Sequence, residues 1–236
     1  MNAVGSPRLV LFDVDGTLVA TPGTREAFAA VLERVGACDV DVHGFAMTGK
    51  TDPQIARELL AAAGMDPEAA DRLVPQLLGD FASELASLEP MIRARGRVLV
   101  GVETLLRRLA DIDTVVASVL TGNLEANARV KLAALGLAGA LDLAVGAYGS
   151  DHHDRRELVP VALRKLHRLR GVRLRSADVW VVGDSPRDLA CARATDARCL
   201  LVATNKHPLD ELAALEPDAA VADLGDVEAV VELLIS

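Results

Sequence analysis

Aromatic side chains make up only 3% of the 236 residues, with one Trp, one Tyr and four Phe. So few rings cannot stack successive bases, which excludes the platforms of a single-strand nucleic-acid binder. Positive charge is also short: 25 Lys and Arg stand against 34 Asp and Glu, for a formal net charge of −9. Such a field repels nucleic acid and anionic membrane surfaces, so any anionic ligand must meet a local positive centre. No stretch approaches the roughly 20 apolar residues needed to cross a bilayer. Cys38, Cys191 and Cys199 show neither CxxC spacing nor an accompanying His cluster, which argues against zinc and fits a reduced, cytoplasmic setting. The opening residues carry no basic leader, and their apolar run is broken by Asp13 and Asp15. A buried strand is expected there rather than a signal peptide. With 51% hydrophobic residues, the chain can bury a sizeable core, and its composition points to an enzyme acting on a small molecule.

Short apolar runs at 9–14, 114–120, 141–145, 179–182 and 199–203 have the character of strands buried on both faces. Between them, 104–110, 124–135, 157–168 and 185–194 place apolar residues at helical spacing with charges opposite. Strands alternating with helices predict βαβ units and a doubly wound, Rossmann-like α/β core with a parallel sheet covered on both faces. The interval 21–96 breaks this alternation, with amphipathic stretches at 25–35, 53–63, 67–78 and 81–86 and no strand. The expected organisation is therefore a core of residues 1–20 and 97–236 carrying an inserted α-helical domain, 21–96. An insertion leaving after the first strand emerges over the carboxyl ends of the strands, where open α/β sheets bind ligands. It is expected to act as a cap. Toward the end, 219–221 reads as an edge strand and 226–235 as a closing helix.

Three segments carry chemistry. In VLFDVDGTL, Asp13 and Asp15 stand at the end of an apolar strand, and period-two geometry aims both to one side until Gly16 turns the chain. Two acids that close repel unless a cation lies between them; with Mg²⁺ present, both stay ionised and one can attack phosphorus. Solvated acids before a turn are the ordinary alternative for such a pair. Further on, 115–120 leads into Thr121-Gly122-Asn123. A hydroxyl and a glycine at a strand-to-helix turn can bind an anion through side chain and backbone, or simply cap the helix. Finally, the strand at 179–182 ends in Gly183-Asp184-Ser185-Pro186-Arg187-Asp188, where Asp188 lies one helical turn beyond Asp184 and on its side. Acids favouring a helix N-terminus would look the same.

In this order and context the segments resemble the haloacid dehalogenase-like hydrolase superfamily, in particular phosphoglycolate phosphatase-like members with a helical cap. Asp13-Val14-Asp15-Gly16-Thr17-Leu18 matches the first family motif at every defined position. The resemblance implies that Asp13 is the nucleophile, forming an aspartyl-phosphate, and that Asp15 is the general acid and base. It implies that Thr121 binds the transferring phosphoryl group, with Gly16, Thr17, Gly122 and Asn123 around the phosphate. It implies a Mg²⁺ held by Asp13, the backbone carbonyl of Asp15 and Asp184, with Asp188 holding the metal's water or orienting a nearby basic group. The family's third motif is a Lys or Arg, often before Pro, at the start of a later helix. Here the segment is Gly149-Ser150-Asp151-His152-His153-Asp154-Arg155-Arg156-Glu157-Leu158, without Lys-Pro. A cation is still required against the nucleophile and the phosphate, so Arg155 or Arg156 fills the place, with Arg155 favoured as nearer the loop. Lys165 is expected to be solvated, and His152 and His153 to be polar loop groups rather than a second metal site.

The turn Gly49-Lys50-Thr51-Asp52 resembles the substrate-facing loop of some of these proteins, with Lys50 meeting a carboxylate or second anionic group of the substrate. It also reads as a helix start, Thr51 or Asp52 as N-cap and Pro53 at the first helical position. The expected activity is Mg²⁺-dependent hydrolysis of a small phosphorylated metabolite, phosphoglycolate-like in kind. Dehalogenases of the family lack the second acid, so Asp15 argues against that chemistry. A phosphomutase acting on a sugar phosphate is the nearest alternative, and a non-catalytic binding module is opposed by the intact Asp13, Asp15 and Asp184. The physiological substrate and the oligomeric state are left open.

Overall fold

In β1 (Arg8–Phe12), Val10 and Phe12 belong to one apolar cluster and Leu9 and Leu11 to another, all of them fully buried. A strand whose alternate side chains are both buried must be covered on both faces. The computed structural model, which describes residues 6–236, shows how this is done. Chain order runs from β1 to β2 (Val19–Ala20), then through α1 (Thr24–Arg34), α2 (Asp52–Ala62), α3 (Pro67–Ser87) and α4 (Glu89–Arg95) to β3 (Arg97–Val98). It continues with α5 (Val102–Ala110), β4 (Val115–Thr121), α6 (Glu125–Ala134), β5 (Ala147–Tyr148) and α7 (Leu158–Arg170). The last elements are β6 (Val179–Gly183), α8 (Pro186–Arg193), β7 (Arg198–Val202), α9 (Leu209–Ala213), β8 (Ala219–Val221) and α10 (Val227–Ile235).

Six strands form one parallel sheet in the order β5-β4-β1-β6-β7-β8. Leu105, Leu132 and Leu234 from α5, α6 and α10 pack on one face with Val10, Phe12 and Trp180. Leu158, Leu166, Leu189 and Leu212 from α7, α8 and α9 pack on the other with Leu9, Leu11 and Val181. The fold is thus a doubly wound α/β core. The chain runs to β4 and β5 on one side of β1 and returns to β6 on the other, so the order reverses beside β1 and opens a crevice at its carboxyl end. Among the described residues no helix is long and apolar enough to cross a membrane.

The four helices α1 to α4 lie between β2 and β3 in the chain, and these two strands pair antiparallel, Val19 opposite Val98 and Ala20 opposite Arg97. The apolar cluster of the four helices, with Phe28, Val31, Leu59, Leu77, Phe81 and Ile92, also takes in Leu124 and Ala134 at the two ends of α6. The rings of Phe28 and Phe81 stack at 3.9 Å.

Three expectations from sequence need correction. The run 141–145 is not a strand: it is irregular, with Asp142 donating its N–H to the Ala117 carbonyl at 2.9 Å, and the edge strand is the shorter Ala147–Tyr148. Leu141, Leu143 and Val145 are buried, and burial alone does not distinguish a strand from an irregular packed segment. The stretches 67–78 and 81–86 are one 21-residue helix, α3, which runs through Pro75. Ala70, Val74, Leu77, Phe81 and Leu85 form its single buried stripe, and that burial outweighs a Pro penalty of about 3 kcal/mol. Lys165 is not solvated, because its ammonium donates to the Gly146 carbonyl at 2.8 Å and to Asp151 at 2.6 Å.

Because Phe81 is 1% exposed within this apolar cluster, Phe81→Ala is expected to lower unfolding stability by about 3–5 kcal/mol. Denaturant melts followed by circular dichroism measure this, and a loss within experimental error of zero would contradict the assigned packing.

Candidate active site

Three strand ends meet at the crevice. Asp13 follows β1, and its N–H donates to the Val182 carbonyl of β6 at 2.8 Å, which locks the residue beside the sheet. Thr121 ends β4, and Asp184 follows β6 directly. A cavity of about 380 Å³ opens over Asp13 and Thr121. Its floor holds Asp13, Asp15, Thr121, Gly122, Asn123 and Arg155, and its cap side holds Arg25, Lys50 and Asp52.

Arg155 is the cation of this floor. It is 7% exposed and reaches Asp13 Oδ1 at 3.2 Å, while its guanidinium also donates to Asp188. Arg156 instead lies exposed and pairs with Asp154 at 2.7 Å, so Arg155 is the one brought to the acids. Asp188 also accepts from the Ser185 N–H at 3.1 Å and the Ser185 hydroxyl at 2.6 Å, at the first turn of α8. Every oxygen of Asp188 is therefore committed to holding the arginine and the loop.

Among the described residues, Asp13, Asp184 and Asp188 each offer a carboxylate oxygen within 4.8 Å of the others, and all three are buried. Burial raises the proton affinity of Asp13, Arg155 partly offsets it, and Asp188 and Asp15 add to it. Burial followed by the charges of Asp13 and Asp188 pushes Asp184 up to about 8, its one side-chain donor being the neutral amide of Asn205 at 2.9 Å. One guanidinium does not neutralise three acids. A hard divalent cation bound by oxygen donors fits both the charge and the chemistry of this set.

Asp15 is arranged differently. Burial alone would raise its pKa, but Lys131 and the hydrogen bonds from Lys131, Asn123 and Thr21 bring it below the ordinary value. Its Oδ2 accepts from Lys131 at 2.6 Å and Asn123 at 2.9 Å, and its Oδ1 from the Thr21 hydroxyl at 2.9 Å. Asn123 also donates to Thr121 Oγ1 at 2.8 Å, which ties the two strand ends together.

Two glycines are set by close approach. Gly16 has φ +88°, and a Cβ there would stand 2.5 Å from Asp184 Oδ2. A Cβ on Gly122 would stand 2.1 Å from the Lys50 carbonyl, where the cap backbone crosses the core. Thr17 is fully buried, and its hydroxyl has no partner among the described groups. Lys50 faces the cavity, pairs with Glu58 and lies 4.9 Å from the centre of the Phe45 ring. Thr51 is the N-cap of α2, accepting from the Gln54 N–H at 3.3 Å. His152 and His153 stack on each other at 4.7 Å and take no part in the acidic cluster.

A family model for haloacid dehalogenase-like hydrolases matches residues 10–193. The chain belongs to this family. It is 31% identical over 226 residues to a phosphoglycolate phosphatase of Rhodospirillum rubrum, with 93% of this chain and 90% of that protein covered. Its fold is also that of a hydrolase from Pseudomonas syringae, with a TM-score of 0.68 at 19% identity over 98% of this chain and all of the other. The CbbY protein from Rhodobacter sphaeroides, solved with phosphate, superposes with a TM-score of 0.65 at 19% identity, covering 94% of this chain and 96% of that one.

Several groups of the site are not expected from its motifs. Lys131, Thr21 and Asn205 each contact an acid of the cavity, and Asp52 enters the wall from the cap. Asn123, Asn127 and Lys131 recur at four-residue spacing beside the apolar stripe of α6, a polar row that is the one sequence signal for Lys131.

A carboxylate whose folded pKa lies above its unfolded value of about 3.9 contributes stability present at low pH and lost as pH rises through the folded pKa. For Asp184 the loss builds as pH rises from about 3.9 to about 8 and is complete above it. In metal-free protein, Asp184→Asn is therefore expected to melt about 2–4 °C above wild type at pH 9, for a gain of about 1 kcal/mol. The gap should shrink toward pH 6. Thermal melts in chelator across that range check it, and a gap that grows toward pH 6 would contradict it.

Proposed function

We propose that the protein is a Mg²⁺-dependent phosphatase that hydrolyses a small phosphate monoester, with phosphoglycolate as the first candidate substrate. The observation that carries this reading is the placement of Asp13, buried at the cavity floor between Arg155 and two further acids. Asp13, Asp184 and the backbone of Asp15 would hold the metal, which supplies positive charge against the phosphate oxygens. Asp188 serves there by keeping Arg155 in place.

In the proposed cycle, the phosphate sits against Arg155, Thr121, Gly122 and Asn123, with the Gly16-Thr17 turn beneath it. An Asp13 carboxylate oxygen attacks phosphorus while the ester oxygen leaves, taking a proton from Asp15. Water then attacks the aspartyl-phosphate, gives its proton to Asp15 and releases inorganic phosphate, restoring Asp13. Residues 21–96 act as the cap that excludes bulk water, and its cationic wall of Arg25 and Lys50 meets the rest of the substrate. A carboxylate there suits Lys50, and the 31% identical phosphoglycolate phosphatase supports the choice of substrate. The free cysteines, Cys38, Cys191 and Cys199, fit a cytoplasmic enzyme.

With Mg²⁺ and an aryl phosphate, phosphate release is expected to fall at least about 1000-fold in Asp13→Asn and to stop on chelation. A panel of phosphorylated metabolites should show 2-phosphoglycolate among the better substrates. Release that survives Asp13→Asn would falsify the nucleophile assignment. Conversion of a sugar phosphate to its isomer without free phosphate would favour a mutase instead.

A further inference from the structure

Lys131 is fully buried yet stands behind the cavity wall rather than in it. Its ammonium donates to Asp15 Oδ2 at 2.6 Å and to Asn123 Oδ1 at 2.7 Å. One turn earlier on α6, the Asn127 amide donates to Asp52 Oδ2 at 3.4 Å, and the Leu124 N–H before the helix donates to the same oxygen at 2.7 Å. Asp52 belongs to the insertion, whereas Lys131, Asp15, Asn123, Asn127 and Leu124 belong to the core. It is 3% exposed, and a carboxylate at the start of a helix is favoured by the helix dipole. The surrounding backbone reinforces the contact: the Asp52 N–H donates to the Gly122 carbonyl at 2.7 Å, and the Thr51 hydroxyl donates to the His153 carbonyl at 2.6 Å. Residues four apart share one helix face, so a single face of α6 touches the cap at its first turn and Asp15 one turn later.

We infer that Asp52 and Lys131 are positioning residues: the docked cap, through Asp52 and the inner face of α6, holds Lys131 where it fixes Asp15 and Asn123 beside the phosphate. This rests on the roles of Asp13 and Asp15 proposed above. Asp15 has two tasks, giving a proton to the ester oxygen and taking one from water, and both require its carboxylate within hydrogen-bond reach. Without Lys131, Asp15 keeps only Thr21 and Asn123, and Asn123 itself loses an anchor.

An aryl ester with a very acidic phenol separates the two tasks. Its phenolate departs unprotonated as the bond from phosphorus to the aryl oxygen breaks and the bond from phosphorus to the Asp13 oxygen forms, so phosphorylation does not need Asp15. Hydrolysis does: water oxygen bonds to phosphorus, the Asp13 oxygen leaves, and the water proton passes to Asp15. A misplaced Asp15 therefore lets the phosphoenzyme accumulate.

The test is stopped-flow phenolate release from 2,4-dinitrophenyl phosphate with the full chain and Mg²⁺. Wild type must turn over and Asp13→Asn must not; failure there sinks the proposed function, not the positioning role. Lys131→Met is expected to give a burst near one phenolate per enzyme, then a steady rate about 100-fold below wild type. Asp52→Asn keeps an oxygen for the Leu124 N–H but loses the charge, and is expected to give the same burst with a loss of about 10-fold. It decides the matter if Lys131→Met does not fold. Steady rates near wild type in the folded variants, or burst and turnover lost together in folded protein, would overturn the assignment.

Discussion

The pairing of one buried guanidinium with two of three buried carboxylates is the constraint on which the rest of this structure depends. Arg155 lies between Asp13 and Asp188, and without it two buried acids would face each other, where like charges are costly. The sheet order delivers this arrangement. Asp13 and Asp184 follow adjacent strands, β1 and β6, and Asp188 follows one turn into α8. Arg155 arrives from the loop before α7, which packs on the same face as α8. Even so, the charge does not balance, and Asp184 keeps a raised proton affinity. In the proposed function that imbalance is what a divalent cation would answer at the acids, leaving the arginine to face the phosphate.

The second acid of the first motif stands in a separate electrostatic setting. Asp13 is drawn toward protonation by burial, whereas Asp15 is held anionic by Lys131, Asn123 and Thr21. The proposed roles need the reverse, an ionised nucleophile and a protonated acid, so a divalent cation would have to lower the proton affinity of Asp13 and the charge of a bound phosphate to raise that of Asp15. The cap is joined to this division of labour through Asp52, which burial pushes up to about 6 and which α6 holds by hydrogen bonds. Asp52 of the insertion and Asp15 of the cavity are thus held from one face of α6.

Much of this was legible in the chain before any coordinates. The alternation of apolar runs and amphipathic helices gives the doubly wound sheet, because that signal comes from long periodic segments, and the break in it at 21–96 coincides with α1 to α4. Asp13, Thr121 and Asp184 come together because each stands at a strand end or directly after one, and Arg155 reaches them from the segment that leads into α7. What sequence misses is side-chain traffic across the fold. Lys131 looks like a solvated helix lysine until its neighbours are placed, and Asp52 looks like a helix start, which it also is. The run 141–145 and the helix through Pro75 fail for a related reason: burial by distant elements decides their conformation against local preference.

The central claim is that Asp13 carries the phosphoryl group in the course of hydrolysis. Acid quenching of the Mg²⁺-loaded wild-type enzyme during turnover, followed by peptide mass spectrometry, tests it most directly. The account predicts a base-labile phosphoryl adduct on Asp13, present with substrate and absent without it. An adduct on any other residue, or full turnover with none on Asp13, would contradict it.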